Sequence, residues 1–138
     1  VIEDATESLS EAFWAVARQL RHATRESLEP WDITPGQGRA LSVLMRHGQM
    51  RLSELSEHLR IAPRSTTEVV DALEERGLAE RGRDPHDRRA TLVALTERGL
   101  ETGGAIKRAR RAESDKLFGA LSADDRAELA RILGLLRR

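Results

Sequence analysis

No cysteine occurs among the 138 residues, which removes disulfides, thiolate metal sites and cysteine-based redox sensing together. Tyrosine is missing too, and aromatics amount to 3% of the chain. The core must therefore come from Leu, Val, Ile and Ala packed between helices, which favours a mostly helical body. No apolar run approaches the roughly 20 residues of a spanning helix, and no basic-then-apolar leader opens the sequence. A protein without a membrane segment, compatible with a reducing cytoplasm, is expected. An excess of either charge is lacking as well, with 23 basic and 23 acidic residues, so net charge alone gives no support for a nucleic-acid partner. There is no Ser-His-Asp order, phosphate loop or metal-hydrolase motif, and His22, His47, His58 and His86 show no ligand spacing. Neither an enzyme nor a metal or cofactor site is expected.

What is present fits one domain, 39% hydrophobic, enough for a modest core. Charge is unevenly distributed. Residues 81–89 carry four arginines (Arg81, Arg83, Arg88, Arg89) against two aspartates (Asp84, Asp87). Only Lys107 and Lys116 among the basic residues are lysines, and arginine suits forked phosphate contacts and narrow minor grooves.

Along the chain, Leu9, Phe13, Val16, Leu20 and Ala23 recur at spacings of three and four, giving an amphipathic helix over 4–29 that Pro30 stops. So long a stripe in so short a chain needs cover, and part of it is expected to face a partner subunit. Thr34, Pro35 and Gln37 form a helix start with a capping box, and Gly48 closes that second helix. Ser53 reads as the N-cap of a two-turn third helix whose buried face is Leu55 and Leu59. Ile61, Ala62 and Pro63 break it and start a fourth, running through Val69, Val70 and Leu73 to a Gly77 cap. The first turn of this fourth helix, Arg64, Ser65, Thr66 and Thr67, reads as polar and exposed.

Two helices joined by a tight turn, the second opening on small polar residues and an arginine, fit either a helix-turn-helix or an ordinary helical hairpin. A strand over 78–81, a polar turn over 82–90 and a return strand over 91–95 follow at once. A hairpin in that place turns a helix-turn-helix into a winged helix and favours DNA. Thr96 then caps a fifth helix reaching about Leu121, in which Gly103 and Gly104 suggest a bend or a close approach. Ser122 and Asp125 cap a sixth, striped with Leu129, Ile132, Leu133 and Leu136.

The order of elements, together with residues 87–99, DRRATLVALTERG, resembles the MarR (multiple antibiotic resistance regulator) family of winged helix-turn-helix transcription regulators. That family's wing signature, Asp-x-Arg, five residues, then Leu-Thr-x-x-Gly, is met by Asp87, Arg89, Leu95, Thr96 and Gly99. The segment from Leu52 to Gly77, ending Leu-Glu-Glu-Arg-Gly, is similar to the family's reading head. The resemblance implies a mostly α fold with a small β-hairpin wing. It also implies one domain over 1–138, with a DNA-binding lobe at 31–98 and dimerisation helices at 1–30 and 99–138. The function implied is that of a homodimeric repressor on double-stranded DNA with a pseudo-palindromic operator.

On that resemblance the DNA-binding set is Ser53, Arg64, Ser65, Thr66, Thr67, Arg83, Asp87, Arg88 and Arg89. Arg64 would read a guanine, and Arg89 would enter the minor groove, its guanidinium held by Asp87. Many members release DNA when a small aromatic or anionic effector binds between the dimer helices and the lobe. Trp14, Arg18 and His22, at i, i+4 and i+8 on one helix face, with Phe13 and Trp31, are the residues for such a pocket, and packing is the competing role for the tryptophans. A second function class stays open, a dimeric winged-helix interaction module that has lost DNA binding. The eight basic and nine acidic residues over 51–90 favour it, and failure to shift any promoter duplex at low salt would distinguish it.

Overall fold

The computed structural model describes residues 7–137. In order these form α1 (Leu9–Leu28), a 3₁₀ turn (Glu29–Trp31), α2 (Pro35–His47), β1 (Met50–Arg51), α3 (Leu52–Leu59), α4 (Pro63–Glu75), β2 (Ala79–Arg83), β3 (Thr91–Leu95), α5 (Glu97–Phe118) and α6 (Ala123–Leu136). The fold is mostly α with a small antiparallel sheet, as expected. Among the described residues no helix is long and apolar enough to cross a membrane.

Helix α1 starts later than the apolar spacing suggests. Ser8 Oγ accepts the Glu11 N–H at 3.1 Å, so the cap lies at Ser8; residues 4–6 of the expected helix lie outside the described residues. Pro30 does not stop the chain outright but sits inside the 3₁₀ turn, which Asp32 ends in the left-handed region at φ 52°. Helix α2 begins as its sequence requires. Thr34 Oγ1 accepts the Gln37 N–H at 3.2 Å and the Gln37 side chain accepts the Thr34 N–H at 3.3 Å. Both halves of a capping box are thus formed.

The chain divides into two compact units. One, the winged unit, is Arg25–Ala109; the other is built from the chain up to Thr24 and from Arg110 onward. The apolar core of the described residues lies wholly in the winged unit. Leu41 and Leu44 of α2, Leu55 and Leu59 of α3, Val70 and Leu73 of α4 and Val93 of β3 are all but inaccessible. Each such leucine contributes roughly 1.5–3 kcal/mol of burial, so three short helices are held by their stripes rather than by their length. In the other unit, α6 buries no residue.

The sheet runs β1-β3-β2, with Val93 at its centre opposite both Met50 and Arg81. Gly77 ends α4 in a Schellman turn. At φ 71° it donates its N–H to Glu74 O, and Leu78 donates to Leu73 O, both at 2.9 Å. The same turn receives α5: Thr96 Oγ1 donates to Gly77 O at 2.6 Å and accepts the Gly99 N–H at 3.0 Å. A Cβ on Gly99 would stand 1.9 Å from the Leu78 carbonyl oxygen. The Leu-Thr-x-x-Gly pattern thus docks the start of α5 onto the end of α4, and Gly99 permits its close approach to the Leu78 backbone. Gly103 answers the expectation of a close approach within α5, since a Cβ there would meet Met45 Sδ at 2.3 Å.

Candidate nucleic-acid interface

Helices α3 and α4 meet through a short turn with Arg60 left-handed at φ 54°. Arg39 Nη2 donates to Leu59 O at 2.6 Å, closing the end of α3 from α2. Pro63 then opens α4, where its missing N–H costs nothing. Arg64 and Ser65 are exposed; Thr67 is half-buried with its hydroxyl on Pro63 O at 3.0 Å.

Thr66 does not belong to this exposed turn. It is fully buried, accepting a hydrogen bond from Ser56 Oγ at 2.9 Å and donating to Ala62 O at 3.2 Å. The physical reason is helical phase: 66, 70 and 73 share the face that packs on α3, so the hydroxyl is used to hold the two helices together. Ser53 is exposed on α3, but it is not the cap. Arg51 holds that position, and Glu54 Oε1 accepts its N–H at 3.2 Å.

The wing loop, residues 84–90, is built around Asp84. Its carboxylate is almost inaccessible, with Oδ1 accepting the His86 N–H and Oδ2 the Arg51 Nε–H, each at 2.8 Å. The His86 N–H first, and then the Arg51 guanidinium, hold this carboxyl below the ordinary aspartate range although burial opposes them. Asp84 N–H donates to Ala90 O, and Asp87 N–H to Asp84 O, both at 3.3 Å. Asp87 does not clasp the Arg89 guanidinium as expected. Its Oδ1 accepts the Arg89 backbone N–H at 3.0 Å, a local turn of the kind short carboxylates favour. The Asp-x-Arg spacing therefore shapes the loop and leaves the arginine side chain free.

Arg83, Asp87, Arg88 and Arg89 are all exposed. Among the described residues the guanidiniums of Arg83, Arg88 and Arg89 have no ion pair, whereas Arg81 is committed inward. It bonds Asp71 at 2.5 Å and Glu74 at 3.0 Å and reaches Thr67 O. Arg81 thus ties β2 to α4 rather than waiting for phosphate. Sequence reading does not find Arg51, Asp84 or this role of Arg81, because the partners are distant in the chain, 33 residues apart for Arg51 and Asp84. The Asp84-Pro85 turn signal is the one local hint.

Of the effector residues, Trp14, Arg18 and His22 lie exposed along α1, with Trp14 edge-on to Phe13 at 6.1 Å between ring centroids. Trp31 belongs to the winged unit and is half-buried against its core. Two shallow concavities of the winged unit are lined by Asp71, Glu74, Glu75 and Arg81, and by wing residues such as Arg83 and Pro85.

A sequence model of the MarR family matches residues 33–91. An uncharacterised HTH-type transcriptional regulator of Mycobacterium bovis is 33% identical over 120 residues, covering 87% of this chain and 79% of that protein. The chain belongs to the MarR family. The HTH-type transcriptional repressor MdtR of Bacillus subtilis is 27% identical over 122 residues, 88% of this chain and 79% of MdtR. A solved MarR family protein from Bacillus stearothermophilus superposes with a TM-score of 0.84 at 29% identity, over 93% of this chain and 89% of that one. In this MarR-family chain the matched span runs from Ile33 to Thr91. It therefore contains α2, α3, α4 and the whole wing loop.

Proposed function

We propose that the chain is a homodimeric, sequence-specific DNA-binding transcription regulator, acting as a repressor that a small aromatic or anionic effector releases. The observation that carries this is the division of labour among the arginines. Arg81 is spent on α4, Arg51 on the loop base, and Arg83, Arg88 and Arg89 are left exposed and, among the described residues, without an ion pair on a wing whose backbone is hydrogen-bonded. Phosphate contacts supply most of the affinity for a duplex, and exposed cations on a hydrogen-bonded loop suit that use. Arg64 and Ser65, at the exposed start of α4, are the residues for base edges, with Thr67 beside them and Ser53 at the start of α3 for phosphate. Asp87 acts by shaping the loop, and Thr66 is left out of the contact set.

The dimer is supported by apolar side chains left open to solvent: Leu9 on α1 is 90% exposed, and Leu135 and Leu136 on α6 are 74% and 71% exposed. A two-fold pair would present two α4 helices to major grooves one turn, about 34 Å, apart. The effector reading draws on the family and on the exposed Trp14, Arg18 and His22 face of α1. A cytoplasmic location, without enzymatic activity, accords with such a role.

Replacing Arg89 by Ala tests the reading. Measured by fluorescence anisotropy on a selected operator, the variant binds about tenfold more weakly, and its salt slope is shallower by about one unit because one groove or phosphate cation is lost. Unchanged affinity together with an unchanged slope would remove the wing from the interface.

A further inference from the structure

The exposed row of α4 is mostly acidic. Arg64 is its one cation, followed on the same face by Glu68, Asp71 and Glu75, while Thr66, Val70 and Leu73 face the core. A helix with that charge is poorly suited to a groove walled by phosphates unless its carboxylates are answered. Asp71 is answered by Arg81, which also takes Glu74. Glu75 is the last residue of the helix, three turns beyond Arg64 and far from the end that carries the guanidinium. Glu68 is different. It is exposed and lies only about one turn beyond Arg64. Among the described residues its carboxylate has no hydrogen bond or ion pair.

We infer that Glu68 is a specificity-determining residue that accepts a hydrogen bond from the N4 amino group of a cytosine, within about two base pairs of the guanine read by Arg64. The inference rests on the DNA-binding reading above. Its chemistry follows from the major-groove edges. A carboxylate is an acceptor only, and cytosine offers a donor there with no acceptor on the same base. Adenine sets its N7 acceptor beside its amino group, and guanine and thymine present acceptors to the same approach. Only cytosine thus offers Glu68 a donor with no acceptor beside it, and that bond offsets the repulsion from the phosphates. Asp71 lacks this role because its charge is already committed to Arg81.

Selection of duplexes from a random library tests this with the wild-type chain, Glu68→Ala and Glu68→Gln. Because Glu68 is exposed and unpaired, both variants should fold, and matching thermal melting curves check that. The wild-type motif carries a cytosine near the guanine of each half-site, preferred about tenfold. Glu68→Ala loses that preference alone and binds non-specific duplex more tightly. Glu68→Gln moves the preference towards adenine, since an amide offers the donor and acceptor that adenine pairs with. A wild-type motif that both variants select unchanged overturns the role of Glu68 and leaves the DNA reading standing. Selection of no motif by the wild type overturns the DNA reading and this inference with it.

Discussion

Thr66 shows how a single hydroxyl is assigned by its surroundings. By residue type it belongs with Ser65 and Thr67 in a DNA-facing turn, yet its position places it in a buried bond with Ser56. Thr66→Val keeps the shape and removes the partner, so the expected cost is about 1 kcal/mol, seen as a melting temperature lower by about 3 °C. Operator affinity at temperatures below the transition should change less than twofold. Adding Ser56→Ala should recover part of the loss, because removing both polar partners is milder than orphaning one. A large loss of affinity in a well-folded Thr66→Val protein would instead return this residue to the interface. The phase that buries Thr66 is present in the sequence, in its spacing from Val70 and Leu73, and hydroxyl chemistry masks it. Gly99 is a similar case: its presence in the Leu-Thr-x-x-Gly pattern is legible, but the Leu78 carbonyl that forbids a Cβ there is not.

At the scale of elements, the helix-turn-helix and the wing are readable because their signals are local. Capping residues, a proline at a helix start, a glycine at a helix end and a short apolar strand each lie within one short window. Strand β1 is not readable, since two residues cannot show an alternation, and α3, α4 and β2 all intervene before its partner β3. The wing's tether is hidden for the same reason: Arg51 and Asp84 meet only when the sheet forms. The tether carries a pH dependence whose sign is fixed by the lowered Asp84 pKa. The folded state favours the charged carboxylate, so the contribution is complete above the ordinary value near 4 and is lost as the pH falls through the still lower folded value. Followed by NMR, the Arg51 Nε–H resonance should move with a midpoint below about pH 4. Asp84→Asn should abolish that titration and weaken DNA binding about threefold, the scale of a half-exposed ion pair. A midpoint at or above the ordinary value would mean that Asp84 is not held as the fold indicates.

At the scale of the whole molecule, the chain has a winged unit with a closed core and a second unit whose helices leave apolar side chains uncovered. The first half of that contrast follows from periodicity, because stripes that pack on one another within a lobe explain themselves. The second half follows from the apolar stripes of the long α1 and of an α6 without a buried residue, which the proposed dimer would cover with a second copy of the same chain. The proposed arrangement is two wings and two reading helices related by a two-fold axis. The measurement that tests it most directly is selection of duplexes by the wild-type chain, with the stoichiometry of the complex measured on the enriched sequence. The expected result is an inverted repeat with half-site centres about 10 base pairs apart, bound by two chains. Enrichment of a single asymmetric half-site bound by one chain, or no enrichment at low salt, would contradict it.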